Sequence, residues 1–323
     1  MIKTPILIVA GEPNSVFFEI FFKSISKKKF KSPIILIGSK IILEKQMKQL
    51  NFNFKINLIN EKNVKLINLS KTKINLINIE FYTKKTFEKI SNKSQHYIER
   101  SFNIALRLLK KKITHKFING PISKKYFLNK KYLGISEYLV KKTKSRNYAM
   151  LIFNKNLSVS PITTHLPIKY VSKKITKKKI IDKIKLINSF YKKVLLKKPS
   201  IAVTGLNPHC ESIDKYDEDL KVLKPSIIQL KSYGLKISGP FSADTIFLKN
   251  NRKKFDVIVG MYHDQVLTPI KTLFEYDAIN ITLGLPFIRI SPDHGPNEKM
   301  LGKNLSNPLS LIRALEFFEK MDK

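Results

Sequence analysis

Residues 257–265 read Val257-Ile258-Val259-Gly260-Met261-Tyr262-His263-Asp264-Gln265. The opening run is apolar without alternation, the pattern of a short strand covered on both faces, as in parallel sheets. A histidine and an aspartate follow at its carboxyl end, where open α/β sheets bind their ligands. The same order recurs outward along the chain. Apolar runs at Ile6–Ala10, Ile34–Gly38, Phe117–Asn119, Ala149–Phe153, Ile201–Thr204 and Ile279–Leu283 predict further strands. Helical periodicity predicts helices near 15–27, 84–111, 173–196, 218–233 and 308–320. Alternation of the two predicts an α/β protein with a largely parallel sheet.

The chain has 323 residues, room for two domains at about 100–200 residues each. Hydrophobic content of 43% with 21 phenylalanines supplies a core and excludes global disorder. The net charge of +37 points at first to a polyanion partner. Only 6 of the 61 basic residues are arginine, however, and arginine is the residue that grips phosphate bidentately. The lysine excess, beside many Ile and Asn, reads as a compositional bias. It is also uneven: residues 201–323 are within one charge of neutral, and the excess lies before them. The lysines at 173, 174 and 177–179 read as the solvated face of a helix. Binding of nucleic acid remains a remote alternative that requires a steep salt dependence.

Cys210 is the only cysteine, so no intrachain disulfide forms and a reducing compartment is expected. The apolar run Ile6–Ala10 is too short for a signal-peptide core or a membrane span. A soluble cytoplasmic protein, without membrane contact, is the expectation. No Gly-x-Gly and no P-loop occur, so a nucleotide would be held by some other device.

Chemistry concentrates at strand ends. His165, His209, His263 and His294 sit in Thr163-Thr164-His165-Leu166-Pro167, Leu206-Asn207-Pro208-His209, Met261-Tyr262-His263-Asp264-Gln265 and Ser291-Pro292-Asp293-His294-Gly295. Each alone reads as a structural histidine. Together, three neutral imidazoles suit a divalent cation and leave positions open for substrate oxygens. Lys271, Asn280 and Arg289, at the ends of successive elements, suit a phosphate or carboxylate. Arg289 is the informative one, because an unpaired charge in an apolar strand end is costly.

Taken together these strings resemble the PdxA family, the 4-hydroxythreonine-4-phosphate dehydrogenases. The residues that carry the resemblance are Asn119-Gly120-Pro121-Ile122-Ser123-Lys124, the His165 and His209 strings, Gly239-Pro240-Phe241-Ser242-Ala243-Asp244-Thr245, Tyr262-His263-Asp264-Gln265, Asn280 to Arg289, and Asp293-His294-Gly295. The resemblance implies a homodimer with its active site at the subunit interface and a two-domain isocitrate/isopropylmalate-dehydrogenase-like fold. The expected division is 1–128 plus 303–323 against 129–302. It implies a divalent metal (zinc, magnesium or cobalt) on His165, His209 and His263, with His263 from the other subunit. Substrate contacts are implied for Ile135, Ser136, Lys271, Asn280 and Arg289, and cofactor contacts for Leu283, Gly284 and His294, with NAD or NADP as hydride acceptor.

The implied reaction oxidises the secondary alcohol of 4-phosphooxy-L-threonine and decarboxylates the product to 3-amino-2-oxopropyl phosphate, in pyridoxal 5′-phosphate biosynthesis. Asp244 and Asp264 are candidates for the general base, and equally for partners that orient the metal histidines. The chain departs from the family where Gly134-Ile135-Ser136-Glu137 replaces the usual Gly-His-Thr-Glu. Ile135 cannot donate a hydrogen bond, at a cost in substrate affinity of about 1–3 kcal/mol. The alternative is therefore the same fold and metal chemistry on another phosphorylated hydroxy acid. A second departure is Gly11-Glu12-Pro13-Asn14-Ser15-Val16-Phe17, which lacks the family's later glycines. Cys210 beside His209 is either a soft metal ligand or a small filler.

Overall fold

The structure, a computed structural model, describes residues 3–128, 131–212, 216–292 and 295–321. The chain forms two compact units, Met1–Leu139 with Pro286–Lys323, and Val140–Leu285.

In the first unit lie β1 (Ile6–Val9), β2 (Ile34–Gly38), β3 (Ile56–Leu58), β4 (Ile74–Asn78) and β5 (Lys116–Asn119). In the second lie β6 (Ala149–Phe153), β7 (Ser158–Pro161), β8 (Ile201–Thr204), β9 (Ile237–Phe241), β10 (Val257–Gly260) and β11 (Ile279–Leu283). The last strand, β12 (Ile288–Pro292), returns to the first unit.

The first unit's strands run in the order β3-β4-β2-β1-β5-β12, every pair parallel. Ile6, Leu7, Ile8 and Val9 of β1 are fully buried, as a strand covered on both faces requires. Around Phe117 of β5, Phe102 of the helix Gln95–Lys110 and Phe287 pack edge-on at 6.2 and 5.8 Å between ring centroids. The helix Lys40–Gln49 starts where the Ser39 hydroxyl accepts from the Ile42 amide, which satisfies one orphan donor of its first turn.

Residues 131–139 and 286–302 belong to this unit, although the expected boundaries at 128 and 303 gave them to the other. The reason is pairing and packing. β12 lies in parallel register on β5, with Ile288 opposite Lys116 and Arg289 opposite Phe117. Tyr138 packs edge-on against Phe102 and Phe127.

The second unit orders its strands β11-β6-β7-β10-β8-β9. The stretch β7-β10-β8-β9 is parallel, and β6 joins antiparallel to both β7 and β11. Its core gathers Met150, Val159, Ala202, Ile258, Val266 and Ile270. The helix Lys177–Val194 begins at Thr176, whose hydroxyl accepts from the Lys179 amide. The architecture is thus the α/β, largely parallel arrangement that the strand and helix alternation predicts.

Candidate active site

Three neighbouring parallel strands of the second unit, β7, β10 and β8, each run directly into a histidine: His165, His263 and His209. Parallel pairing puts their carboxyl ends side by side and brings His165 and His263, 98 positions apart in sequence, together, while no described contact joins His209 to either. His165 and His263 face each other with ring centroids 5.7 Å apart and planes 36° apart. The Asp264 carboxylate lies 2.7 Å from His263 Nδ1, an arrangement that favours the proton on Nδ1 and an acceptor lone pair on Nε2. His165 and His209 have φ of +32° and +56°. Such backbone is costly for a residue with a Cβ and recurs at functional sites.

The turns holding these histidines are tied by residues to which the sequence assigned no role. Gln265 accepts from the Met261 amide at 2.7 Å and the Thr204 hydroxyl at 2.9 Å, and donates to the Gly205 carbonyl at 2.7 Å. It thereby joins the ends of β8 and β10. Asp219, fully buried, accepts from the Leu206 and Asn207 amides at 2.8 and 2.9 Å and so fixes the segment before His209. Gln265 stood in a quoted motif. Asp219 had no sequence signal, because its role arises only when its helical turn packs on the β8 loop.

Among the described residues no three His, Cys, Asp or Glu side chains of one chain gather as a metal-holding group. Cys210 is a free thiol, half-buried, and burial pushes its pKa up, with Asp219 adding to the shift. A cavity of about 740 Å³ opens beside His209 and Cys210, lined also by Lys224, Ser242, Thr245 and Lys254. Asp244 is exposed on the short helix Ala243–Ile246.

Lys271 stands exposed on the helix His263–Phe274, and the buried Asn280 Oδ1, on β11, has no hydrogen-bond partner among the described residues. Leu283 is buried at the end of β11. At Gly284 φ is +92° and a Cβ would lie 2.2 Å from the Asn147 carbonyl oxygen, so only glycine fits. His294 lies outside the described residues.

In the first unit Arg289 is fully buried on β12. Its Nε donates to Asn119 Oδ1 at 2.7 Å and Nη1 to the Ser136 hydroxyl at 3.2 Å. Burial lowers its pKa to about 9, against the opposing pull of Glu137, and it remains charged at neutral pH. A cavity of about 510 Å³ is lined by Asn119, Ser123, Lys124, Ile135, Ser291 and Glu298, among others. Ile135 thus presents an apolar wall where the family's pattern has a histidine.

The family model described as "Pyridoxal phosphate biosynthetic protein PdxA" matches residues 29–318. A 4-hydroxythreonine-4-phosphate dehydrogenase of Sulfurihydrogenibium sp. (strain YO3AOP1) is 39% identical over 320 residues, 96% of this chain and 95% of that protein. A D-threonate 4-phosphate dehydrogenase of Salmonella typhimurium is 30% identical over 297 residues, 90% of each. The crystal structure of 4-hydroxythreonine-4-phosphate dehydrogenase from Klebsiella pneumoniae superposes with a TM-score of 0.84 at 25% identity, covering 99% of this chain and 98% of that one. Fold and sequence agree: the chain belongs to the PdxA family of pyridoxal phosphate biosynthetic proteins and is an oxidoreductase.

Proposed function

We propose that the chain oxidises the secondary alcohol of 4-phosphooxy-L-threonine with NAD or NADP and decarboxylates the product to 3-amino-2-oxopropyl phosphate, as a step of pyridoxal 5′-phosphate biosynthesis. The observation that carries the reading is the row of histidines at the carboxyl ends of β7, β10 and β8. The donor set fits a divalent cation: two imidazoles face each other, and an aspartate orients one of them. His165, His209 and His263 would hold it, with one ligand from a second copy, since no three such side chains gather within one chain among the described residues. When bound, such a cation supplies a Lewis acid that lowers the pKa of an alcohol and polarises a carbonyl.

The chain's own residues do the remaining work. Asp264 keeps His263 in one tautomer, which orients the ring. Asp244, exposed and free of that duty, is the better candidate for accepting the alcohol proton. Lys271, Asn280, Ser136 and Arg289 supply the contacts proposed for the phosphate and carboxylate. Leu283 and Gly284 shape the approach to the nicotinamide cofactor, Gly284 by lacking a side chain.

The test is the appearance of reduced nicotinamide when metal-loaded protein meets 4-phosphooxy-L-threonine. D-threonate 4-phosphate, the substrate named for the Salmonella relative, serves as the comparison. Turnover with a higher kcat/KM on 4-phosphooxy-L-threonine is expected. A preference for D-threonate 4-phosphate, or metal binding without turnover of either, overturns the reading.

A further inference from the structure

We propose that Asn119 is a positioning residue for Arg289: its amide fixes the guanidinium while leaving it cationic, and the buried charge held in this way receives an anionic group of the substrate. The inference rests on the reading above, in which Arg289 binds the phosphorylated substrate.

The geometry is specific. Asn119 Oδ1 accepts from Arg289 Nε at 2.7 Å, and Asn119 Nδ2 donates to the Gly120 carbonyl at 2.8 Å. These two bonds fix the amide's orientation, because a flipped amide would turn its NH2 toward a donor. The Ser136 hydroxyl holds Nη1 at 3.2 Å. With Nε and Nη1 both committed, the planar fork cannot rotate about its stem.

The backbone beneath is equally fixed. A Cβ on Gly120 would meet the Ala10 carbonyl oxygen at 2.2 Å, so the turn after β5 sits directly on the end of β1. Asn119 and Arg289 are 1% and 0% exposed, so Arg289 lies behind Asn119 in the interior. Asn119 also lines the cavity of about 510 Å³.

The choice of a neutral acceptor is the point of the arrangement. Asn119 is neutral, so its bond to Arg289 leaves the guanidinium's charge in place, where burial lowers its pKa and Glu137 opposes that shift. An arriving anion gains from that charge in a low-dielectric site. An aspartate at 119 has nearly the same shape and accepts the same bond, but it completes the neutralisation.

Asn119→Asp and Asn119→Ala, compared with wild type, test this. The readouts are KM and kcat for 4-phosphooxy-L-threonine, and the rise in melting temperature on titration with inorganic phosphate. Asn119→Asp is expected to raise KM at least 10-fold with kcat little changed, to abolish most of the phosphate-induced rise, and to melt no lower than wild type. Asn119→Ala is expected to melt lower and to raise KM as well. If Asn119→Asp keeps wild-type KM and phosphate response, or if wild type shows no phosphate response, the inference fails. If wild type does not turn over 4-phosphooxy-L-threonine, the proposed function fails, while the phosphate titrations of wild type and Asn119→Asp still decide the role of Asn119.

Discussion

Arg289 and Glu12 are buried charges with opposite consequences. Arg289 uses the fork geometry of its guanidinium to meet Asn119 and Ser136 at once. Lysine keeps the charge and loses the fork, so Arg289→Lys is expected to raise KM for the phosphorylated substrate about 10-fold or more, read by steady-state kinetics. Glu12, 1% exposed, accepts from the Ser94 hydroxyl at 2.7 Å. Burial raises its pKa above 4.5; hydrogen bonds from Ser94 and Asn14 oppose the shift and Glu298 adds to it. The folded chain therefore holds this proton more tightly than the unfolded chain. The stabilisation is complete below the unfolded pKa and is lost as pH rises through the folded pKa. Glu12→Gln cannot titrate, so its stability relative to wild type is expected to climb as pH rises from about 4 upward. Urea midpoints across that range check it, and a constant difference contradicts it. At Ile135 the missing polar contact is testable by restoration. Ile135→His is expected to lower KM about 10-fold, within the 1–3 kcal/mol of a hydrogen bond to a charged group.

Elements place these residues, and at this scale the chain is unevenly legible. Each of the seven runs predicted as strands forms one, because nearly all of their residues are buried; the polar ones, Asn119, Thr204, Asn280 and Thr282, do not break the apolar pattern of the rest. The strands β3, β4, β7, β9 and β12 were not predicted. β9 carries Gly239 and Pro240, β7 carries two serines and a proline, and β12 carries Arg289, so local pattern and tertiary role disagree. The helix His263–Phe274 was hidden by Pro269 inside it. The helix expected over 84–111 starts only at Gln95, since the turn before it is held by Glu88 instead, whose carboxylate accepts from the Lys84 and Lys85 amides. His209 and His263 follow the predicted strands β8 and β10, whereas the strand before His165, β7, is not among those the sequence predicts. Asp219 and Gln265 were not legible, because tertiary contact creates their roles. The same contacts make a prediction. Gln265→Leu removes the bonds joining β8 to β10 and leaves the Met261 amide without its acceptor. A loss of about 2–3 kcal/mol in stability is expected, together with weakened metal binding as His263 loses its seat. Calorimetric metal titration beside chemical denaturation separates the two effects, and an unchanged metal affinity shows that Gln265 serves stability alone.

At the scale of the whole molecule the charge of +37 acts on stability and solubility before it acts on any partner. Carboxylates number 24 against 61 basic residues, so pairing cannot neutralise the lysines. Those of the cluster at 173, 174, 177 and 178 are exposed, as a solvated face requires. No helix among the described residues is long and apolar enough to cross a membrane. The excess lies almost wholly before residue 201, which includes most of the first unit, so like charges crowd one part of the chain. At low ionic strength their fields reach about 30 Å, and at physiological salt about 8 Å. Screening relieves repulsion that the compact state suffers more than the expanded one. The melting temperature in sodium chloride, with phosphate absent so that no anion site fills, is therefore expected to rise by several degrees between about 0.01 and about 0.15 M salt. The surface ion pairs, such as Lys40–Glu44 at 3.1 Å and Arg107–Glu61 at 3.2 Å, weaken over the same range and pull the other way, but each is worth little. A melting temperature that falls with salt would mean that such pairs outweigh the repulsion, and that the lysine excess is arranged rather than merely tolerated.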